Sequence, residues 1–190
     1  MRARLSRVAS GQGGFTLVEL VAVMGIFMTV VGGLTALFVS GARAELDANE
    51  RFQAQQSARL ALDRMRRELH CSSGLTKTDG SALTAGAAVT AVRVALPSHC
   101  PTAGGVTASV DYRMVAFRGR WRLERVIGAQ ATPIADYFTN DDVFTYTPQS
   151  NTSRASLHVD LPVNVDPNEG SPTWRLTDDI VLRNTLRQAP

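Results

Sequence analysis

An uninterrupted apolar stretch near the N-terminus constrains this chain more than any other feature. Leu20 to Ala42 are 23 residues without a formally charged side chain. A helix of that length crosses a bilayer core of about 30 Å, which takes about 20 residues. Arg2, Arg4 and Arg7 come before the stretch with no acid among them. This asymmetry predicts a cytoplasmic N-terminus and an extracytoplasmic remainder.

The same stretch also fits a cleaved secretory signal. Such a signal has a shorter apolar region that ends at a small-residue cleavage site, and Ser40-Gly41-Ala42 is a site of that type. Composition alone leaves both interpretations open. Glu19 favours a functional span over a plain anchor. An acid within a span costs roughly 2.5–3.5 kcal/mol on insertion, and a plain anchor would gain nothing in return for that cost. Its side chain either reaches the interface or meets a cation from another chain.

The positive charge of the protein is concentrated in its first residues. The formal net charge is +3, and without the three N-terminal arginines the 20 basic side chains fall to 17, which equals the 17 acidic ones. A neutral remainder gives no support for nucleic-acid binding. We therefore expect no nucleic acid among the partners.

The residues around Glu19 resemble a known processing motif. Gly14–Leu20, GFTLVEL, is similar to the prepilin motif of type IV pilins and type II secretion pseudopilins, as are the basic leader and the long apolar helix around it. The resemblance implies that a prepilin peptidase removes leader residues 1–14 by cutting after Gly14. Phe15 then becomes an N-methylated N-terminus, and its ammonium pairs with Glu19 of a neighbouring subunit.

The resemblance also implies a location and a set of partners. The precursor would sit in the inner membrane as a single-pass protein, with residues 15–42 forming a transmembrane and assembly helix. Its partners would be the prepilin peptidase, the lipid bilayer before assembly, the inner-membrane assembly platform and other pilin subunits. Many family members have a proline in this helix, whereas this chain has Gly25, Gly32 and Gly33 instead.

The helical pattern continues beyond the apolar stretch. Residues 43–74 are predicted as an amphipathic outer half of the helix that ends near Cys71, with Gly74 supplying the stop. Spacings of four, four, three and four residues place one apolar stripe on a single face, at Ala54, Ala58, Leu62, Met65 and Leu69. Phe52 and Leu60 lie off this stripe, either as lone exposed residues or as contacts to neighbouring subunits.

Residues 75–190 are predicted to form a β-rich globular domain. Apolar residues alternate in several segments, at 92–96, 110–116, 121–125, 157–165 and 180–182. Gly119 marks a hairpin turn, and Pro162 predicts an edge or bulged strand. The segment 130–151 lacks a period and is predicted mostly as loop, with a short strand at 143–146. The overall fold class is α+β.

The two cysteines leave three interpretations open. Cys71 and Cys100 follow His70 and His99 respectively. An extracytoplasmic location favours a disulfide, which would close a loop of about 30 residues and contribute about 3–4 kcal/mol through chain entropy. Free thiols and a metal site are the alternatives, although these adjacent ligand pairs do not match the usual zinc spacings.

Enzyme motifs do not occur in the sequence. A glycine-rich phosphate loop, G-x-S-x-G and H-E-x-x-H are all missing, so we predict no catalytic residues, no cofactor and no metal site. Segments 166–170 and 140–142 are predicted as polar turns, not ion sites. Asn151-Thr152-Ser153 fits a glycosylation sequon, and His158 is predicted to face solvent.

These patterns together predict a minor pilin or pseudopilin subunit at or near the tip of a filament. Segments 110–126 and 179–184 resemble J-type minor pseudopilins and W-type minor pilins. The sequence does not decide between secretion, adhesion and motility, or DNA uptake. The alternative is an unprocessed single-pass protein with an extracytoplasmic sensory or binding domain.

Overall fold

A computed structural model describes residues 14–165 and 173–184. One α-helix, α1 (Leu17–Cys71), is followed by strands and by a short 3₁₀ turn (Pro101–Ala103) after the third strand. The strands that these residues form are β1 (Gly74–Thr76), β2 (Ala88–Val89), β3 (Ala91–Leu96), β4 (Ala108–Phe117), β5 (Arg120–Ile127), β6 (Gln130–Phe138), β7 (Phe144–Thr147), β8 (Ser156–Val163) and β9 (Trp174–Val181).

The predicted α+β class is confirmed. The strands form one antiparallel sheet in the order β1-β3-β4-β5-β6-β8-β7-β2, and β9 pairs with β8. The chain divides into two structural units, residues 1–46 and residues 47–190. The first unit contains the N-terminal part of α1, and the second contains the remainder of α1 with the whole sheet.

The predicted apolar stripe of α1 packs against the sheet within the second unit. All five of its residues are buried, together with Ala61 and Glu68. Small alanines at the N-terminal end of the stripe allow the helix backbone to approach the strands closely. Phe52 and Leu60, which were predicted to lie off the stripe, are 64% and 62% exposed.

α1 ends at Cys71, where its end was predicted, but its last turn is closed in a different way. The backbone N–H and the hydroxyl of Ser72 both donate to the Leu69 carbonyl, at 3.2 and 2.8 Å. The Ser73 N–H then donates to the Ala95 carbonyl at 3.0 Å, and Gly74 begins β1. Gly74 is therefore not the helix stop, because Ser72 satisfies the last turn and the chain enters the sheet directly.

The β4–β5 hairpin is confirmed, with its turn at the predicted place. Arg118 and Gly119 have φ values of 51° and 75°, as a two-residue type I′ turn requires. The inward-facing residues of the two strands are buried and alternate with outward-facing ones, as the sequence period predicts. They are Val110, Tyr112, Met114, Leu123 and Arg125.

The prediction that residues 130–151 are mostly loop is wrong for β6, although the short strand β7 lies where it was expected. The pairing of β5 with β6 shifts register twice, between Trp121 and Leu123 and again between Leu123 and Glu124. Each shift inserts an extra residue into β6. The extra residues destroy the period of two by which a strand is detected in a sequence.

The prediction that Pro162 marks an edge or a bulge is also wrong. β8 pairs with β9 in continuous register and with β7 on its other side, and it meets β6 at Val163. On that second side the Asp160 N–H donates to Val143, and the Pro162 carbonyl accepts from Thr139. Pro162 thus lies where β8 changes partner from β7 to β6, so its missing N–H interrupts neither ladder.

Candidate assembly segment

The start of α1 holds Glu19 through a partial capping box, in which both side-chain contacts run between the Thr16 hydroxyl and Glu19. Thr16 is the N-cap residue, and its carbonyl accepts from the Leu20 N–H at 3.1 Å. The Thr16 hydroxyl oxygen accepts from the Glu19 N–H at 3.3 Å, and the hydroxyl lies 3.5 Å from Glu19 Oε2 as a donor. The Thr-x-x-Glu spacing is the sequence signal of such a cap, although the cap was not predicted.

The position of Glu19 in the first turn also suits its charge. Unpaired N–H groups give a helix N-terminus a partial positive charge, which stabilises a nearby carboxylate. Glu19 is exposed on the isolated chain. The Glu19 carboxylate is therefore accessible to a cation from another molecule, while its contact with the Thr16 hydroxyl restricts its side-chain conformation.

The predicted cleavage site lies outside the helix. Gly14 and Phe15 come before Leu17, the first residue of α1, and both are exposed. Phe15 is 84% exposed, and no atom of the described residues lies within 4 Å of a Cβ built on Gly14. Within the described part of the chain, the Gly14–Phe15 peptide bond is thus sterically accessible, as a protease substrate must be.

The first part of α1 is apolar on every side. Residues 14–46 are all exposed in the structure, and large apolar side chains point outward in all directions around the helix. An 18-residue window of α1 has a mean hydropathy of 2.2, so the helix is long and apolar enough to cross a membrane. A helix that is apolar all round needs lipid or other helices around it.

Two threonines in this segment form hydrogen bonds within the helix. The Thr29 hydroxyl donates to the Ile26 carbonyl at 2.7 Å, and the Thr35 hydroxyl donates to the Val31 carbonyl at 2.8 Å. These bonds remove the cost of placing a free hydroxyl in hydrocarbon. The helix surface therefore presents no unmet hydrogen-bonding group at either threonine.

A buried ionic network joins α1 to the sheet in the second unit. Glu68 is fully buried, and its Oε1 accepts from Arg125 Nη2 at 2.6 Å. The Tyr112 hydroxyl donates to Glu68 Oε2 at 2.5 Å. Arg64, one helical turn away from Glu68, is a more distant partner, with 3.8 Å between its Nε and Glu68 Oε1. Arg125 is the principal partner, because it points inward from β5.

The network raises the pKa values of Tyr112 and Arg125. Burial raises the pKa of Tyr112, and the negative charge of Glu68 and the hydrogen bond to it raise it further. Burial alone would lower the pKa of Arg125, but the hydrogen bond and charge of Glu68 outweigh burial and leave that pKa raised. The phenol of Tyr112 therefore stays protonated and the guanidinium of Arg125 stays charged, and both bind the buried carboxylate of Glu68.

Cys71 and Cys100 are joined by a disulfide in the structure, with their Cα atoms 5.8 Å apart. The bond connects the end of α1 to the turn after β3. Candidate metal-ligand atoms of Cys71, His99 and Cys100 lie within 4.8 Å of one another, but both sulfurs are consumed by the disulfide. His70 lies apart from this group, with its Nδ1 atom 2.8 Å from the Val181 carbonyl.

The polar segments flagged in the sequence form turns or lie outside the described residues. Asn140 Oδ1 accepts from the N–H of Asp141 at 2.9 Å, which uses this side chain in a local turn. Asn151 lies on an exposed turn, and His158 Nδ1 lies 2.8 Å from an oxygen of Asp179 on the outer side of β8. The leader residues 1–13 and the segment 166–170 lie outside the described residues.

Comparison with known families adds a further observation. A family model described as the prokaryotic N-terminal methylation motif matches residues 9–35. The match supports assignment of the chain to the type IV pilin and pseudopilin family. Neither a curated protein nor a solved structure matched this pilin-like chain. The matched segment contains the accessible Gly14–Phe15 bond, the capping box and the start of the apolar helix surface.

Proposed function

We propose that this chain is a minor pilin or pseudopilin subunit that is cut after Gly14 and assembles into a filament through Glu19. The observation that carries the proposal is the methylation-motif match over residues 9–35, on a helix that is apolar on every side. Such a helix has no stable place in water. Lipid before assembly and a helical bundle afterwards are environments that bury its whole surface.

The role of Glu19 follows from its electrostatic environment. A carboxylate in a low-dielectric surrounding is destabilised by the loss of water. The Thr16 hydroxyl and the N-terminal turn offset part of that cost. Cleavage after Gly14 creates an ammonium on Phe15, and an ammonium from an adjoining subunit would complete the compensation by direct charge pairing. Only a properly processed neighbour supplies that group.

The proposed location is the inner membrane, followed by a filament in the periplasm or at the cell surface. The prepilin peptidase, the assembly platform and other pilin subunits are the proposed partners. Repeated head-to-tail contacts with one rotation and one rise form an open helical filament. A minor subunit would occupy a position at or near the tip, where its sheet domain is presented to the exterior. The proposed function is structural and does not include catalysis.

Replacement of Glu19 by glutamine tests the docking role. Glutamine keeps the size of the side chain and an acceptor oxygen for Thr16, but it removes the negative charge. We expect Glu19→Gln protein to lose its leader normally and to be depleted at least about tenfold from sheared filaments, since a tenfold change corresponds to about 1.4 kcal/mol. Immunoblots of the membrane and filament fractions measure both quantities.

The matched control is Glu45→Gln, which removes an exposed acid from the same helix. We expect this variant to be processed and incorporated as the unaltered chain is. Normal incorporation of Glu19→Gln would refute the charge-pairing role. N-terminal sequencing of the membrane-extracted chain tests processing separately, because an unprocessed sensory protein would keep Arg2, Arg4 and Arg7.

A further inference from the structure

A groove of about 560 Å³ lies at the tip of the β4–β5 hairpin, within the second unit. Its lining is unusual because arginines and aromatic rings alternate in it. Those that carry the argument are Phe117, Arg118, Arg120, Arg122 and Tyr137. Neither the assembly segment nor the buried network explains this arrangement.

The groove is built by a turn and a bulge. Arg120 and Arg122 are two residues apart on β5, so their side chains lie on the same face of the strand. Asp136 and Tyr137 are adjacent on β6 and would point to opposite faces of a regular strand. The extra residue between the Trp121 and Leu123 pairings breaks that alternation. As a result, Asp136 contacts Arg122 while Tyr137 contacts Arg120.

Tyr137 adopts a backbone conformation that is costly for a bulky residue. Its φ value is 71°, in the left-handed region that glycine and asparagine occupy most easily. Such a conformation costs about 1–3 kcal/mol, and residues of this kind cluster at functional sites. A glycine would remove the strain but would also remove the ring that supports Arg120.

The arginines are ordered by aromatic stacking. The guanidinium carbons of Arg118 and Arg122 lie 5.1 and 3.4 Å from the centre of the Phe117 ring. The guanidinium carbon of Arg120 lies 5.3 Å from the centre of the Tyr137 ring. Stacking fixes the plane of a guanidinium and leaves its N–H donors free for an anion. The cations are thus oriented before a ligand arrives.

The charge balance of the groove leaves two of these cations available. Arg122 pairs with Asp136, with 2.5 Å between Nε and Oδ1. Arg118 and Arg120 make ring contacts but no ion pair with any acid in the ranges 14–165 and 173–184. Glu50 is the second acid that lines the groove. Among the described residues that line the groove, three guanidiniums against two carboxylates give a surplus of one positive charge.

We propose that this groove binds a carboxylate side chain of an acidic segment in a partner protein, with an apolar neighbour of that carboxylate packed on the exposed aromatic surface. Arg118 and Arg120 are the groups that hold the carboxylate, and Phe117, which is 36% exposed, provides the apolar contact. A planar guanidinium matches a carboxylate in geometry and forms charge-assisted hydrogen bonds with it.

A nucleic acid fits these observations less well than an acidic peptide does. Successive phosphates would meet Glu50 and Asp136, which line the same groove. Beyond the three leader arginines the chain is formally neutral, so it lacks the extended positive field that binds a polyanion. A single carboxylate neutralises the surplus charge of the groove. This inference does not depend on the proposed filament function.

The test measures peptide binding to the full chain in detergent. The probe is a fluorescein-labelled octapeptide of glycine and serine that contains one aspartate next to one phenylalanine, and the comparison peptide has asparagine in place of that aspartate. We expect the acidic peptide to bind and the amide peptide to bind at least about tenfold more weakly. The double variant Arg118→Gln/Arg120→Gln should lose affinity for the acidic peptide by a similar factor, as measured by fluorescence anisotropy.

The control is Arg154→Gln/Arg183→Gln, which removes the same total charge from two exposed positions elsewhere. This control should bind as the unaltered chain does, and near-ultraviolet circular dichroism should show both double variants to be folded. Equal binding of the two peptides would overturn the proposal, as would unchanged binding by Arg118→Gln/Arg120→Gln. Absence of acidic-peptide binding, or tighter binding of oligothymidine or polygalacturonate, would overturn it too.

Discussion

Replacing Arg125 by leucine would remove the cation from the buried network and leave Glu68 without its principal partner. Glu68 is fully buried and accepts from Arg125 at 2.6 and 3.1 Å. What remains is the Tyr112 hydroxyl and Arg64 at 3.8 Å. Because removing one member of a buried ion pair leaves an uncompensated charge, we expect the free energy of unfolding to fall by about 3–5 kcal/mol.

A double variant separates the cost of an unpaired charge from the net value of the pair. Glu68→Leu/Arg125→Leu removes both charges. The buried Tyr112 hydroxyl then loses its partner, at about 1–3 kcal/mol, and the exposed Arg64 loses only its 3.8 Å contact. We therefore expect the double variant to be more stable than Arg125→Leu alone. A double-mutant cycle that includes Glu68→Leu gives the coupling energy.

The assay is urea unfolding of the full chain in detergent, followed by tryptophan fluorescence. Trp121 and Trp174 are partly buried in the sheet domain, so their emission reports on that unit. A loss below about 1 kcal/mol for Arg125→Leu would refute the reasoning. So would a double variant whose loss equals the sum of the two single losses, since independent effects add in this way.

The remaining predictions concern the disulfide and the titration of Tyr112. Reduction, or Cys71→Ser/Cys100→Ser, should lower the stability of the sheet domain by about 3–4 kcal/mol, whereas unchanged stability on mass-verified reduction would count against a structural role. Because burial and Glu68 raise the pKa of Tyr112, its contribution is complete below pH 10 and is lost as the pH rises above that value, by at most about 1.4 kcal/mol per pH unit. Denaturation from pH 9 to 11.5 should show this extra slope in the unaltered chain and not in Tyr112→Phe; equal slopes would contradict the assignment.

The regular spacing of apolar residues made most of the fold predictable from the sequence. The stripe on α1 follows helical spacing, and β3, β4, β5 and β8 follow a period of two. β6 was missed because its two extra residues break that period. The prediction of an edge or bulge at Pro162 was wrong because the sequence of one strand does not show where its pairing partner changes, here from β7 to β6. These errors share a cause, since bulges and partner changes depend on pairing between distant segments.

The buried network was missed for a different reason. Glu68 and Arg125 are charged, and charged residues are most often solvent-exposed. The available signal was positional: Arg125 shares the inward register of Leu123, and a charge in an inward position requires a buried partner. The acid that meets it lies 57 residues earlier in the chain. Register shows that a partner is needed, but only the packing of α1 on the sheet shows which residue it is.

The capping box changes how Glu19 should be interpreted. The proposed docking charge of Glu19 lies in a membrane helix, yet Thr16 and the N-terminal turn already give this carboxylate a local structural role. The two roles differ in what they require. A cap needs an acceptor oxygen, whereas pairing with an ammonium gains its strength from the negative charge. Glutamine preserves the first property and removes the second, so a folded, processed and unincorporated Glu19→Gln chain would assign assembly to the charge itself.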